Sequence, residues 1–149
     1  AEKGSICNEM EALQIVKTIM KYRLNWENQE FNIGVISPFR GQVQLIQQML
    51  EKKCPHVQIL VDTAHRFQGD ERDVILMSLV VTPYSSKRQF EFAMDAQLMN
   101  VSLTRAKQKL WIYSHPENPQ RNQMLTEIFR TSSKINTNFE LTDNQHPHE

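Results

Sequence analysis

Residues 73–81 read Asp-Val-Ile-Leu-Met-Ser-Leu-Val-Val, an apolar run too continuous for a strand with one wet face. A half-exposed strand alternates apolar and polar side chains; a strand covered on both faces has no polar side to show. Phe31 to Ser37 (FNIGVIS) is a second such run, rich in β-branched residues and stopped by Pro38. Val57 to Val61 and Leu110 to Ser114 (LWIYS) read as two further strands. Between the strands the period changes. Leu13, Val16, Ile19 and Met20 recur at three- to four-residue spacing, which predicts a helix over 8–24 with a capping-box-like start at Asn8 and Glu11. Val43, Ile46, Met49 and Leu50 mark a helix over Gly41–Lys52. Two more are predicted: Ala96–Ala106, with Asp95 near its N-cap, and Gln120–Arg130, with Met124, Leu125 and Ile128 on its inner face. Asn25–Asn32 and Tyr84–Glu91 are expected to be loops, the latter exposing Lys87 and Arg88 at its tip. Helices alternating with strands buried on both faces make an α/β doubly wound domain around a mainly parallel sheet. Strand order is not legible in this pattern.

The 149 residues suit one domain, expected over 8–130, with a flexible start at 1–7 and a polar tail or truncated linker at 131–149. The chain does not begin with methionine, which suggests a piece of a longer polypeptide. Seventeen Lys and Arg balance seventeen Asp and Glu. Zero net charge excludes a polycation that coats nucleic acid by bulk electrostatics, but leaves room for a local basic stripe. No apolar run approaches the roughly 20 residues of a membrane span. Cys7 and Cys54 are too few for a disulfide framework or a four-ligand zinc site, so no metal site is assigned. A cytoplasmic setting with reduced thiols is expected, and so is a monomer.

Ligands of doubly wound sheets lie outside the carboxyl ends of the strands, so the chemistry is sought there. The second strand is followed by Asp62-Thr-Ala-His-Arg-Phe-Gln-Gly-Asp-Glu-Arg-Asp73. Thr63 and His65 can donate hydrogen bonds to phosphate oxygens, Arg66 adds charge, Gly69 permits a tight turn, and Glu71 can accept bonds from sugar hydroxyls. A merely solvated connection reads equally well. In Leu98-Met-Asn-Val-Ser-Leu-Thr-Arg-Ala-Lys107, Arg105 ends a helix and could reach across a cleft to a γ-phosphate. By spacing alone a surface arginine is the simpler account, as a cap is for Thr104 and a solvated charge for Lys107. After the first strand, Ser37 could touch a backbone phosphate. Phe39 could stack a base, although inward packing is the simpler role. The four glycines, Gly4, Gly34, Gly41 and Gly69, form neither Gly-x-x-x-x-Gly-Lys-Ser/Thr nor Gly-x-Gly-x-x-Gly, so the chain has no phosphate-cradling loop of its own. Asp70-Glu71 lacks the preceding strand that a Walker B pair requires.

Taken in order, IGVISPFRGQ, VDTAHRFQGDERDVI and LMNVSLTRAK-x-x-LWIYSH resemble the second RecA-like domain of superfamily 1 helicases, in the branch containing the nonsense-mediated-decay RNA helicase. The resemblance covers roughly residues 8–115. It implies a RecA-like three-layer domain, the P-loop NTPase fold without its P-loop. It further implies that Thr63, His65 and Arg66 meet the nucleic-acid backbone, that Gln68 and Gly69 turn at the interdomain cleft, and that Glu71 binds the nucleotide's ribose. Asn100, Thr104 and Arg105 match motif VI, whose arginine is the finger on the γ-phosphate. Ser37 and Pro38 match a strand end that approaches the bound strand. The family's first domain, with P-loop lysine, Walker B pair and motif III glutamine, has no counterpart here, nor does the Gln-Tyr-Arg-type motif that opens the second domain. The resemblance therefore implies half of an ATP and Mg²⁺ site, completed by an upstream RecA-like domain of the same polypeptide. Single-stranded DNA or RNA is the implied partner. The alternative is a non-catalytic nucleic-acid- or protein-binding module that keeps the fold.

Overall fold

In the computed structural model, which describes residues 6–28, 32–55, 57, 59–67 and 71–131, the chain alternates helices with a parallel sheet. The elements run α1 (Glu9–Asn28), β1 (Ile33–Ile36), α2 (Arg40–Lys53), β2 (Leu60–Asp62), a short 3-10 helix (Ala64–Phe67), β3 (Arg72–Ser78), α3 (Lys87–Ala93), α4 (Ala96–Arg105), β4 (Ala106–Tyr113), a second 3-10 helix (Asn118–Arg121) and α5 (Gln123–Thr131). The strand order is β2-β1-β3-β4 and every pairing is parallel. The chain steps from β1 to β2, then crosses back over β1 to β3, so the winding reverses between β1 and β3.

Successive side chains of β1 and β3 enter opposite layers, which is why these central strands carry no polar stripe. Val74 and Leu76 of β3 face the layer of α1 and α2, with Ile33, Val35, Val61 and Tyr113 against Ala12, Ile15, Val16, Ile19, Val43, Ile46 and Leu50. Met77 and Ile112 face the other layer, against Met94, Met99 and Leu125. Ile36 and Ile75 face the same way, against Ala64 and Phe67, with Leu98 and Val101 of α4 packed on them. Each such fully buried aliphatic side chain contributes about 1.5–3 kcal/mol of transfer free energy. The result is the three-layer arrangement that the continuous apolar strands require. Among the described residues no helix is long and apolar enough to cross a membrane.

Several boundaries differ from those read in the sequence. The first helix runs on to Asn28, taking residues 25–28 from the expected loop. The second strand is Leu60–Asp62 rather than Val57–Val61; Val57 and Ile59 pack on the core without joining the ladder. Arg72–Ser78 ends three residues before Val81. The last strand starts at Ala106 instead of Leu110, because Lys107, Gln108 and Lys109 on its exposed stretch give no apolar signal. The expected loop Tyr84–Glu91 contains the start of α3, capped by Ser86, whose hydroxyl accepts from the Gln89 N–H at 3.1 Å. The expected helix Gln120–Arg130 divides into the second 3-10 helix and α5, with the Asn122 side-chain Oδ1 accepting from Leu125 N at 2.8 Å. Asp95 does cap α4, accepting from Gln97 N and Leu98 N. Phe39 packs inward, 6% exposed.

The capping box at Asn8 is only half made. Asn8 Oδ1 accepts from Glu11 N at 3.0 Å, but the Glu11 carboxyl turns into the protein instead of back to Asn8. Its Oε1 accepts from Ser78 Oγ at 2.6 Å and from Val80 N at 2.9 Å. Gln42, fully buried on α2, donates to Ser78 Oγ and to the Asn8 carbonyl, both at 3.0 Å, and accepts from Asn8 N at 2.8 Å. Asn8 Nδ2 donates to the Val80 carbonyl at 3.2 Å. Val80 has φ of 70°, a left-handed conformation that a β-branched residue adopts only under constraint. Both of its backbone polar groups are held by the start of α1. Burial pushes the Glu11 carboxyl up to about 7, although the bonds from Ser78 and Val80 oppose the shift.

Candidate functional site

The 3-10 helix after β2 determines how the candidate residues are distributed. Asp62 ends β2, and its Oδ1 accepts from Thr63 N at 2.8 Å, which turns the chain out of the ladder. Ala64 and Phe67, three residues apart, both point into the core, leaving His65 and Arg66 exposed and Thr63 half-buried. Arg66 Nε lies 3.3 Å from Asp62 Oδ2, four residues back. Phe67 is fully buried over the middle of β1 at Gly34. A Cβ on Gly34 would stand 2.7 Å from Phe67 Cε1 and 3.0 Å from Arg72 Cγ, so the absent side chain is what admits the ring. The Arg72 guanidinium lies 5.9 Å from the centre of the Phe67 ring.

Residues 63–67 therefore start at the carboxyl edge of the sheet and lie over one face, and the chain is described again at Glu71, at the amino edge where β3 begins. The expectation that candidate ligand groups gather at the carboxyl ends holds for one set only. Ser37 and Pro38 follow β1, and Thr63 follows β2, with Ser37 N donating to the Asp62 carbonyl at 3.3 Å across the two exits. Glu71 and Arg105 lie at the opposite edge. Arg72 and Ala106 are register partners in β3 and β4, so the residues that precede them, Glu71 and Arg105, have neighbouring backbones. The physical reason is the crossover itself: a parallel sheet forces every connection back to the starting edge before the next strand begins.

Side-chain settings differ within each set. Ser37 is fully buried, its hydroxyl accepting from Phe39 N at 3.3 Å, and Pro38 is also buried. Both shape the turn out of β1 and present little surface of their own. Glu71 is exposed, and its carbonyl accepts from Arg72 Nη1 at 3.1 Å. Arg105 is half-buried, and its Nε is shielded from solvent without a hydrogen-bond partner among the described residues. A guanidinium nitrogen in that state favours an incoming acceptor. Asn100 and Thr104 are exposed on α4; the Thr104 hydroxyl donates to the Asn100 and Val101 carbonyls. Lys107 Nζ sits 3.7 Å from Asp73 Oδ1, whose other oxygen accepts from Asn32 N. Gln68 and Gly69 lie outside the described residues. Among the described residues no three His, Cys, Asp or Glu side chains converge on a metal position.

Sequence reasoning missed Phe67 as the anchor that seats the segment after β2 against Gly34 and α4, although the spacing of Ala64 and Phe67 within an otherwise polar run marked a buried side. It missed Glu11, Gln42 and Ser78 as well. Isolated polar residues on three separate elements carry no sequence signal of a shared network.

Comparison with known proteins extends these observations. The AAA domain family AAA_12 matches residues 1–117. DNA polymerase alpha-associated DNA helicase A of Saccharomyces cerevisiae is 34% identical over 120 residues, 79% of this chain and 17% of its own length. ATP-dependent helicase NAM7 of the same organism is 32% identical over 133 residues, 86% of this chain and 13% of its own. The chain thus spans less than a fifth of the curated relatives it matches. A crystal structure of the C-terminal domain of a possible DNA helicase from Lactobacillus plantarum WCFS1 superposes with a TM-score of 0.52 at 14% identity, over 81% of this chain and 79% of that one. That likeness is one of fold.

Proposed function

The chain belongs to the AAA domain family AAA_12, as a RecA-like second domain of the superfamily 1 helicase kind, and on that premise we propose that it is the C-terminal motor half of an ATP-dependent helicase or translocase acting on single-stranded DNA or RNA. One observation carries the reading. A single segment, residues 63–71, joins the edge bearing Thr63, His65 and Arg66 to the edge bearing Glu71 and Arg105. It is seated between them by Phe67 on Gly34 and α4.

In this reading ATP with Mg²⁺ binds mainly to an upstream P-loop domain of the same polypeptide, and this chain completes the site. Arg105 offers its guanidinium to the γ-phosphate, where charge develops during transfer. Glu71 takes the ribose hydroxyls, and Gln68 and Gly69 form the turn at the cleft. Closure around ATP draws the amino edge inward and opening releases it, while Thr63, His65 and Arg66 hold the strand's phosphates at the other edge. A seated Phe67 makes the two edges move together as one body. Strand contacts of this kind position without specifying sequence.

The test is Arg105→Ala in the full-length protein. Hydrolysis should fall by about 10³-fold or more, the usual worth of an arginine finger, with single-strand affinity largely kept. Turnover at the wild-type rate refutes the finger.

A further inference from the structure

We infer that the connection leaving β3 and the exposed side of α3 form a base-stacking shelf for a single strand, with Tyr84 and Phe92 as its rings. This rests on the single-strand reading above and adds to it the place where bases, as distinct from phosphates, are held.

Tyr84 is 87% exposed, yet the turn that carries it is firmly built. Thr82 N donates to Ser85 Oγ at 2.9 Å, Ser85 N to the Thr82 carbonyl at 3.0 Å, and Tyr84 N to Thr82 Oγ1 at 3.1 Å. Arg121 Nη1 donates to the Pro83 carbonyl at 2.8 Å and ties the turn to the second 3-10 helix. Upstream, the Glu11 and Asn8 bonds hold Val80 in its left-handed conformation, which sets the direction in which the turn leaves the sheet. So much local order serves no packing of the ring. It displays it.

Phe92 is 51% exposed and leans on buried Phe39, with ring centres 5.3 Å apart and planes inclined by 53°. One face of the pair is thus fixed in the core and the other is open to a ligand. Lys87 and Arg88 at the start of α3 are exposed, as is Arg40, which directly follows Phe39. Glu91 and Asp95 are exposed nearby in sequence, so the shelf is not simply cationic.

Strand order brings this shelf into line with the other candidate strand contacts. β1 lies between β2 and β3, so the exits after β2 and β3 are separated by two strand spacings, about 10 Å. His65 and Arg66 follow β2, Arg40 follows β1, and Lys87 and Arg88 follow β3. Arg40 after β1, Lys87 and Arg88 after β3, and Arg66 after β2, although it is paired with Asp62, supply positive charge that suits a polyanion, and exposed rings in the same connection suit its bases. The helices that follow β1 and β3 cover opposite faces at the winding reversal, the kind of place where sheets of this type take ligands, and Phe39 and Phe92 meet there. Aromatic stacking tolerates any base, which suits a protein moving along its strand.

The experiment titrates the full-length protein, without nucleotide, against an oligothymidylate carrying 2-aminopurine and against an abasic oligomer of equal length. Tyr84→Ala should weaken binding of the first by about fivefold or more, the loss of one stacked base, and reduce 2-aminopurine quenching. Tyr84→Phe should restore both. The abasic oligomer and the salt dependence should be unaffected. Phe92→Ala should act likewise; should it unfold because Phe39 loses its support, Tyr84→Ala alone decides. Unchanged affinity and quenching in Tyr84→Ala overturn the shelf while leaving the single-strand reading intact, and leave the rings to a protein partner. Equal losses on both oligomers also overturn it, since stacking needs a base. Failure of the wild type to bind either oligomer or an oligouridylate of equal length overturns the single-strand reading itself.

Discussion

Replacing Glu11 by Gln tests whether a buried carboxyl is kept neutral at the junction of α1, α2 and β3. Glu11 is 1% exposed, and both of its hydrogen bonds fall on Oε1, from Ser78 and Val80. Oε2 is buried without a partner among the described residues, so ionisation would leave half of the charge uncompensated. Desolvation therefore outweighs the two bonds and raises the pKa from 4.5 to about 7. Between these values the native state keeps a proton that the unfolded chain has released, so stability falls as pH rises. The contribution of the neutral carboxyl is complete below pH 4.5 and lost once pH passes about 7. At about 1.4 kcal/mol per pH unit, the interval amounts to about 3 kcal/mol. Glutamine keeps an acceptor for Ser78 and Val80 and cannot ionise. Urea unfolding of both proteins from pH 4.5 to 8 should show the wild type losing about 3 kcal/mol relative to Glu11→Gln across that range. Parallel profiles would mean that Glu11 is ionised in the fold, and the account of the network would be wrong.

Gly34→Ala should destabilise by about 1–3 kcal/mol, because its Cβ meets Phe67 and Arg72 inside a packed layer. Combination with Phe67→Leu should return part of that loss in thermal denaturation, and strict additivity of the two would contradict the contact. Asp95→Ala removes the cap from Gln97 N and Leu98 N and should cost about 1 kcal/mol, read as a lower urea midpoint. In the full-length protein, Thr63→Ala with His65→Ala should weaken single-strand binding and its stimulation of ATP hydrolysis. Identical binding to wild type across a salt titration would remove these residues from the strand contact.

The class of fold was legible because continuous apolar strands alternating with 3.6-period helices have few stable solutions. Val74 to Met77 must face two layers, and they do. Boundaries were legible where a cap or an apolar residue marked them, as Asp95 does. They failed where exposure decided, as on β4 at Lys107–Lys109, whose conformation comes from pairing with β3 and not from its own side chains. The Asn8 cap was visible because it is local. The inward turn of Glu11 was not, since its donors lie 67 and 69 residues away.

The same division runs through the candidate site. The residues to suspect came from the resemblance of short ordered runs, Thr63 to Glu71 and Asn100 to Arg105, since by spacing alone Arg105 reads as a surface arginine. The resemblance could not say which of them stand together. Thr63 and Glu71 are eight positions apart and lie at opposite edges of the sheet, whereas Glu71 and Arg105 are separated by a crossover and lie side by side. Strand pairing decides such neighbourhoods. It is a relation between distant segments that exists only when hydrogen bonding and burial on both faces have fixed the order β2-β1-β3-β4.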